Sequence, residues 1–376
     1  MMVRKKNDHW RGDRIRKEKA DYNIIVGERG NGKTYDIQKM CIEKFLEKQE
    51  QCFILRRWME DVKPSNAANF WDGKLTAKLF DWSGGRFRNI ILRGMRYIAV
   101  DYDDKGKPII NEANTIGYVW DINESERLKG QSFPFVTNIV FEEFISLSQL
   151  GYLPDEVTMF LNVISTIIRD RTDVKIWMLG NTVNPYNPYF KHFGIKGLEL
   201  KQGEIWTKTD TVTGCKLAVE FCEMRRKGDL YGTSAKYFAF GTADGSTDMI
   251  LTGQWQLPDY PLKKFRPQFS LRRIFIRFDD RLMSFHLMSD DKGRNYLYVM
   301  TERMNTYIPE SDVVLDLNPS LKRNHYTAFQ NLPPSDENKL IASLISNQKI
   351  YYDDRMTGAY FNNFLSQSML QLNRLK

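Results

Sequence analysis

Cysteine is scarce in this 376-residue chain: Cys41, Cys52, Cys215 and Cys222 are all there are, and no two form a C-x-x-C pair. That density excludes a disulfide scaffold, and with only four scattered histidines no structural zinc site is expected. Long apolar runs are also missing. No stretch approaches the ~20 apolar residues that a membrane span needs. The opening residues, Met1-Met2-Val3-Arg4-Lys5-Lys6, lack the apolar core of a signal peptide. The expectation is a reduced, cytoplasmic protein without membrane contact. There is no internal repeat, and no N-K-x-D motif supports a GTPase.

What the chain has in excess is positive charge, with 55 Lys and Arg against 47 Asp and Glu and a formal net charge of +8. A polyanionic partner is the natural expectation. The first twenty residues contain Arg4, Lys5, Lys6, Arg11, Arg14, Arg16, Lys17 and Lys19, with Trp10 among them. An arm that touches DNA or a partner and a solvated leader both remain open for this segment.

At this length two domains with a connecting segment are expected. The most informative stretch is Gly27-Glu28-Arg29-Gly30-Asn31-Gly32-Lys33-Thr34, which meets every fixed position of the phosphate-loop pattern G-x-x-x-x-G-K-[ST]. A short apolar run, residues 22–26, precedes it. Helical periodicity at Ile37, Met40, Cys41 and Phe45 follows, and then a buried strand at Cys52-Phe53-Ile54-Leu55. Strand, loop, helix, strand is a βαβ unit, so an α/β fold with a mostly parallel sheet between helices is predicted. Backbone N–H groups and the helix N-terminus would cradle phosphate. Gly27, Glu28, Arg29, Gly30, Asn31, Gly32, Lys33, Thr34 and Tyr35 are the expected ATP-binding set, with Lys33 on the β- and γ-phosphates and Thr34 on Mg²⁺.

Arg56 and Arg57 end the second strand, where open α/β sheets place functional groups. Residues 71–121 alternate in short runs with turn signals, which predicts antiparallel hairpins at the sheet edge. Asn138-Ile139-Val140-Phe141-Glu142-Glu143 is an apolar strand ending in two acids. Hydrolysis needs a metal ligand and a group that orients or deprotonates water, so Glu142 is assigned to Mg²⁺ and Glu143 to water. Pro154 and Asp155 start a helix with a stripe of Val157, Phe160, Leu161, Ile164, Ile167 and Ile168, ending in Arg169-Asp170-Arg171. A strand at residues 175–179 stops at Gly180-Asn181-Thr182. If it lies between the loop strand and the acid strand, it marks the additional-strand glutamate class of ATPases, with Asn181 as sensor of the γ-phosphate. Arg169 and Arg171 are explained by the dipole of a helix C-terminus, and an arginine here can also reach a neighbouring subunit's nucleotide.

Four segments together resemble the genome-packaging ATPases of small tailed phages of the phi-twenty-nine type. They are the phosphate loop, the acid strand Thr137-Asn138-Ile139-Val140-Phe141-Glu142-Glu143-Phe144, the helix end Ile168-Arg169-Asp170-Arg171, and Asn184-Pro185-Tyr186-Asn187-Pro188-Tyr189-Phe190. The likeness covers most of the first two hundred residues. It implies a P-loop ATPase domain over residues 1–200, a small linker domain over 201–250 and an α+β RNase-H-like domain over 251–376. It further implies a homomeric ring, a pentamer by that resemblance, driving double-stranded DNA into a preformed capsid. The capsid portal and a packaging RNA would be partners, and the host cytoplasm, docked on the viral procapsid, the location. Carried over by position, Arg169 becomes a finger for the neighbouring site, and Lys129 in Arg127-Leu128-Lys129-Gly130 a second trans-acting cation.

Residues 191–250 are polar and glycine-containing, including Arg225-Arg226-Lys227-Gly228, and read as linker. An antiparallel meander is expected at residues 269–278, 282–288 and 296–300, with helices at 335–346 and 357–375. Related terminases carry a C-terminal nuclease needing clustered acids on two metals. Asp279, Asp280, Asp290 and Asp291 fall where turns attract aspartate, so a domain that docks and contacts DNA without cutting it is predicted. A terminase with an active nuclease, and a P-loop switch or small-molecule kinase unrelated to DNA, are the alternatives.

Overall fold

The computed structural model describes residues 9–146, 151–182, 185–222, 260–278, 281–318 and 323–374. The chain divides into two compact units, Met1–Gln256 and Leu257–Lys376.

The first unit is built on one large sheet. Its strands are β1 (Tyr22–Gly27), β2 (Gln51–Arg56), β3 (Asn89–Arg93), β4 (Arg96–Tyr102), β5 (Pro108–Ile109), β6 (Thr115–Asp121), β7 (Val136–Glu142), β8 (Lys175–Asn181), β9 (Ile205–Thr209) and β10 (Lys216–Phe221). They run in the order β3-β4-β6-β2-β7-β8-β1-β10-β9, with β5 against β4. From β6 to β10 all neighbours are parallel. Both faces of such strands are covered, so they read as continuous apolar runs. Alternate residues feed two cores: Ile25, Ile54, Val140 and Trp177 pack with Ile37, Met40, Cys41 and Phe45 of the Lys33–Lys48 helix. Ile24, Val26, Phe53, Leu55, Phe141 and Met178 pack with Phe160, Val163, Ile164 and Ile167 of the Glu156–Ile168 helix.

Three expectations need correction. The edge at residues 71–121 does hold the β3–β4 hairpin, but β6 lies parallel to β2 within the sheet. Residues 59–82, ahead of that hairpin, fold into four single-turn helices. Residues 205–221 are no linker. β10 pairs in parallel with the phosphate-loop strand β1 and β9 closes the edge antiparallel to it, so the first unit's sheet runs past the boundary drawn at residue 200. Leu217, Ala218 and Val219 are buried there, a run too short to stand out among polar neighbours. Arg225, Arg226 and Lys227 lie outside the described residues, as do Asn184 of the family-like segment, Asp279 and Asp280.

Among the described residues the second unit has six strands: β11 (Ser270–Phe278), β12 (Arg281–Ser289), β13 (Asn295–Glu302), β14 (Val313–Asp316), β15 (His325–Tyr326) and β16 (Ile350–Tyr352). The expected meander is present, with β11, β12 and β13 antiparallel in turn. β14 and β15 extend it in parallel on the β11 side, and β16 adds in parallel to β13. A three-strand meander continued by two parallel strands is the strand order of an RNase-H-like sheet, here with one added edge. Helices Asp336–Ser346 and Arg355–Arg374 accompany it.

Candidate nucleotide site and the far end of the acid strand

β1 delivers the loop to the edge of the sheet where β2, β7, β8 and β10 also end. Gly30 and Gly32 have φ of 68° and 96°, values that side chains resist. Gly27 is required for closeness instead: a Cβ there would stand 2.7 Å from the Cys222 Cβ. Lys33 is 6% exposed. Its Nζ donates to the carbonyls of Gly27 (3.2 Å) and Glu28 (2.7 Å), and to the side-chain oxygens of Asn31 (3.2 Å) and Asn181 (3.4 Å). The last contact follows from strand order. β8 lies between β1 and β7, with Gly27 opposite Asn181 and Glu142 opposite Leu179.

Glu142 is buried at the tip of β7. Its Oε2 accepts from Arg56 Nη1 at 2.6 Å, and the Thr34 side chain lies beside its carboxylate. Burial pushes its pKa above the ordinary carboxylate value, while Arg56 and Thr34 pull it back. Glu143 is exposed and holds a left-handed φ of 52°, a conformation that survives only where neighbours fix it. Arg57 fixes it. Its Nη1 and Nη2 donate to the carbonyls of Glu143 (3.1 Å) and Phe144 (2.7 Å), and its Nε donates to Glu156 Oε2 (2.8 Å). The Tyr189 hydroxyl donates to the other Glu156 oxygen at 2.7 Å, and the Arg57 guanidinium lies 4.9 Å from the Tyr152 ring centre.

Arg169 and Lys129 are not part of this cluster. Both are exposed, and Arg169 Nη2 donates to the Gln131 carbonyl at 2.6 Å, two residues from Lys129. Gln131 lies in the approach to β7, whose first residue is Val136. Six residue steps at ~3.3 Å each put that first residue roughly 20 Å from Glu142.

The family model for the podovirus DNA encapsidation protein (Gp16) matches residues 6–236. The chain belongs to that family. The DNA packaging protein of Bacillus phage B103 is 28% identical over 174 residues, 46% of this chain and 48% of the relative. That of Bacillus phage phi29 is 25% identical over 206 residues, 54% and 55% of the two chains. The chain thus spans about half the length of the curated relatives it matches. The solved phi-28 gp11 DNA packaging motor aligns with TM-score 0.54 at 19% identity, over 96% of this chain and 98% of that one. The phi-29 viral genome packaging motor assembly aligns with TM-score 0.57 at 18% identity, over 96% and 99%. These two likenesses concern the fold.

Against this Gp16 background, two features escaped the motifs. One is the Arg57–Glu156–Tyr189 network. Its signal was a charged pair ending the strand beside the acid strand, but the partners are 99 and 33 residues apart along the chain. The other is the start of the chain. The Trp10 N–H donates to the Asn31 carbonyl at 2.8 Å, and a Cβ on Gly32 would meet the His9 Cβ at 2.8 Å. Asp36 Oδ2 accepts from Gly12 N (3.0 Å) and Arg16 Nη1 (2.6 Å). Residues 9–16 are therefore strapped across the loop and the first turn of its helix. Among the described residues no helix is long and apolar enough to cross a membrane, and no three His, Cys, Asp or Glu gather as a metal site.

Proposed function

We propose that this chain is an ATP-hydrolysing subunit of a homomeric ring that drives double-stranded DNA into a preformed viral capsid. The observation that carries the reading is β8. Its place between the loop strand and the acid strand sets Asn181 against Lys33, and Glu143 follows Glu142 at the end of β7, an order that supports an ATPase coupling hydrolysis to work. The loop amides and helix N-terminus bind the triphosphate with Lys33. Glu143 orients and deprotonates the attacking water, and Asn181 reads the γ-phosphate. Thr34 and Glu142 are hard oxygen donors that would hold Mg²⁺, and the ion would supply neutralisation of phosphate charge.

Arg169 and Lys129 are too far from their own loop to serve it, so they serve the next subunit's site. The ring is five-membered by family likeness, with the capsid portal and a packaging RNA as partners on the procapsid in the host cytoplasm. Excess positive charge favours the DNA backbone, which makes engagement strongly salt-dependent. The RNase-H-like unit docks and contacts DNA without cutting it.

The test is ATP turnover with and without long double-stranded DNA. Turnover is expected to rise with DNA, and Lys33→Ala or Glu143→Gln to lower it by about a hundredfold or more. DNA-independent transfer of phosphate to a small molecule would sink the motor reading. Metal-dependent cleavage of plasmid by the full chain would restore the nuclease.

A further inference from the structure

Arg169 sits in a sharp reversal. It ends the Glu156–Ile168 helix with φ 52° and ψ −117°, and two residues on the Arg171 N–H closes the turn onto the Ile168 carbonyl at 3.0 Å. Glycine takes such a position freely, and another residue stays there only where its surroundings hold it. Among the described residues the side chain that holds this turn is Arg171. Its Nη1 donates to the carbonyls of Pro134 (3.0 Å) and Val136 (2.7 Å), and its Nη2 to that of Ile167 (3.0 Å). The Asp173 carboxylate stands 4.0 Å away, and the Arg171 side chain is 25% exposed.

Those three carbonyls belong to two elements. Pro134 and Val136 form the root of β7, and Ile167 the last turn of the helix. Arg169 itself is bonded to Gln131, in the same approach to β7. One planar guanidinium thus ties the finger turn to the strand whose opposite tip carries Glu142 and Glu143. β7 is paired along its length with β2 and β8, so root and tip belong to one stiff element.

We propose that Arg171 is the positioning residue of the arginine finger: it holds Arg169 in reach of the neighbouring subunit's phosphates and makes that reach depend on the acid strand of its own subunit. The inference rests on the reading that Arg169 acts in trans. Lysine cannot replace it, because an ammonium lacks the planar fork that spans three carbonyls.

The test uses rings assembled from two kinds of subunit and reads DNA-stimulated ATP turnover. Arg171→Gln alone is expected to lose about tenfold or more, and Glu143→Gln nearly everything. Mixed in equal amounts, an Arg171→Gln subunit keeps its acids and borrows the finger of a Glu143→Gln neighbour. Roughly a quarter of head-to-tail interfaces are then complete, and turnover rises above both parents. A role confined to the subunit's own fold or own site gives no such recovery, and that result overturns the proposal. The same mixture made with Arg169→Ala separates the two ideas. Recovery with Arg169→Ala but none with Arg171→Gln removes the positioning role and leaves the trans finger standing. No recovery with either removes both. Arg171→Lys, which keeps the charge, is expected to follow Arg171→Gln alone and mixed; wild-type turnover from it would overturn the three-carbonyl grip.

Discussion

Glu142 and Glu143 at the tip of β7, and Asp290 just past the end of β12, are all acids at strand ends, yet the two sheets use them differently. At the first, Glu142 is met by Arg56 from β2 and Thr34 from the loop helix, while Arg57 grips the Glu143 peptide. These partners come from two other elements, the end of β2 and the helix after the loop. At the second, Asp290 accepts from the N–H groups of Lys292 and Arg294 and from the Arg294 side chain. The Arg294 hydrogen bond is the largest cause that brings its pKa down to about 2. Asp316 likewise accepts from Asn318 N at 2.9 Å. An acid spent on its own turn is not offered to a ligand, whereas acids held from several elements are aimed at a shared point.

The comparison breaks most visibly if Arg57 is removed. Arg57→Ala leaves Glu156 buried without its charge partner, and a thermal or denaturant melt of the full chain is expected to show the first unit weakened by about 3–5 kcal/mol. ATP turnover should fall beyond what that loss of folded protein explains, because Glu143 loses its anchor. A melt within ~1 kcal/mol of wild type would mean the network is not what fixes the acid tip.

The second effect belongs to the other sheet. His286 is buried between the Ser270 and Ser284 hydroxyls, at 2.9 and 3.0 Å. Burial, with Arg273 nearby, lowers its pKa to about 4. The unfolded chain takes up this proton near pH 6.5, so it binds more protons than the folded chain between about pH 6.5 and 4. Stability is therefore full above that window and falls by up to roughly 3 kcal/mol as pH drops through it. His286→Asn should flatten this slope in a pH series of denaturant melts; an unchanged slope would place the titration elsewhere. The smallest effect is expected from Asp290→Asn, which loosens one exposed turn and leaves ATP turnover and DNA stimulation at wild-type level. A drop in DNA stimulation would show that this turn contacts DNA and is not spent on itself.

The phosphate loop, the acid strand, the intervening strand and the β11–β13 meander were legible because each is a local pattern. A fixed spacing, an apolar run or an alternation announces it within ten residues. β10 was not, since its apolar core is three residues and the neighbour that justifies it, β1, lies 195 residues earlier. Arg57 and Arg171 were visible as charges but not as clamps. Arg57 grips residues 86 to 99 positions on, and Arg171 residues 35 and 37 positions back. Nothing in the sequence ties such partners together. The strap at residues 9–16 gave only a basic run with one tryptophan, and charge alone does not say what a segment lies against.

The position of β1 in its sheet also has a temporal side. Its two neighbours, β8 and β10, are made about 150 and 195 residues after it, roughly ten to forty seconds later at the pace of translation. The loop strand therefore leaves the ribosome well before either strand that flanks it. Until β8 has emerged, Ile24, Ile25 and Val26 have no neighbouring strand to pair with. Non-local pairing of this kind folds slowly and leaves apolar edges open to wrong partners, so a nascent chain stalled before residue 175 would be a client for chaperones, with every phosphate-binding residue already synthesised and none yet in position.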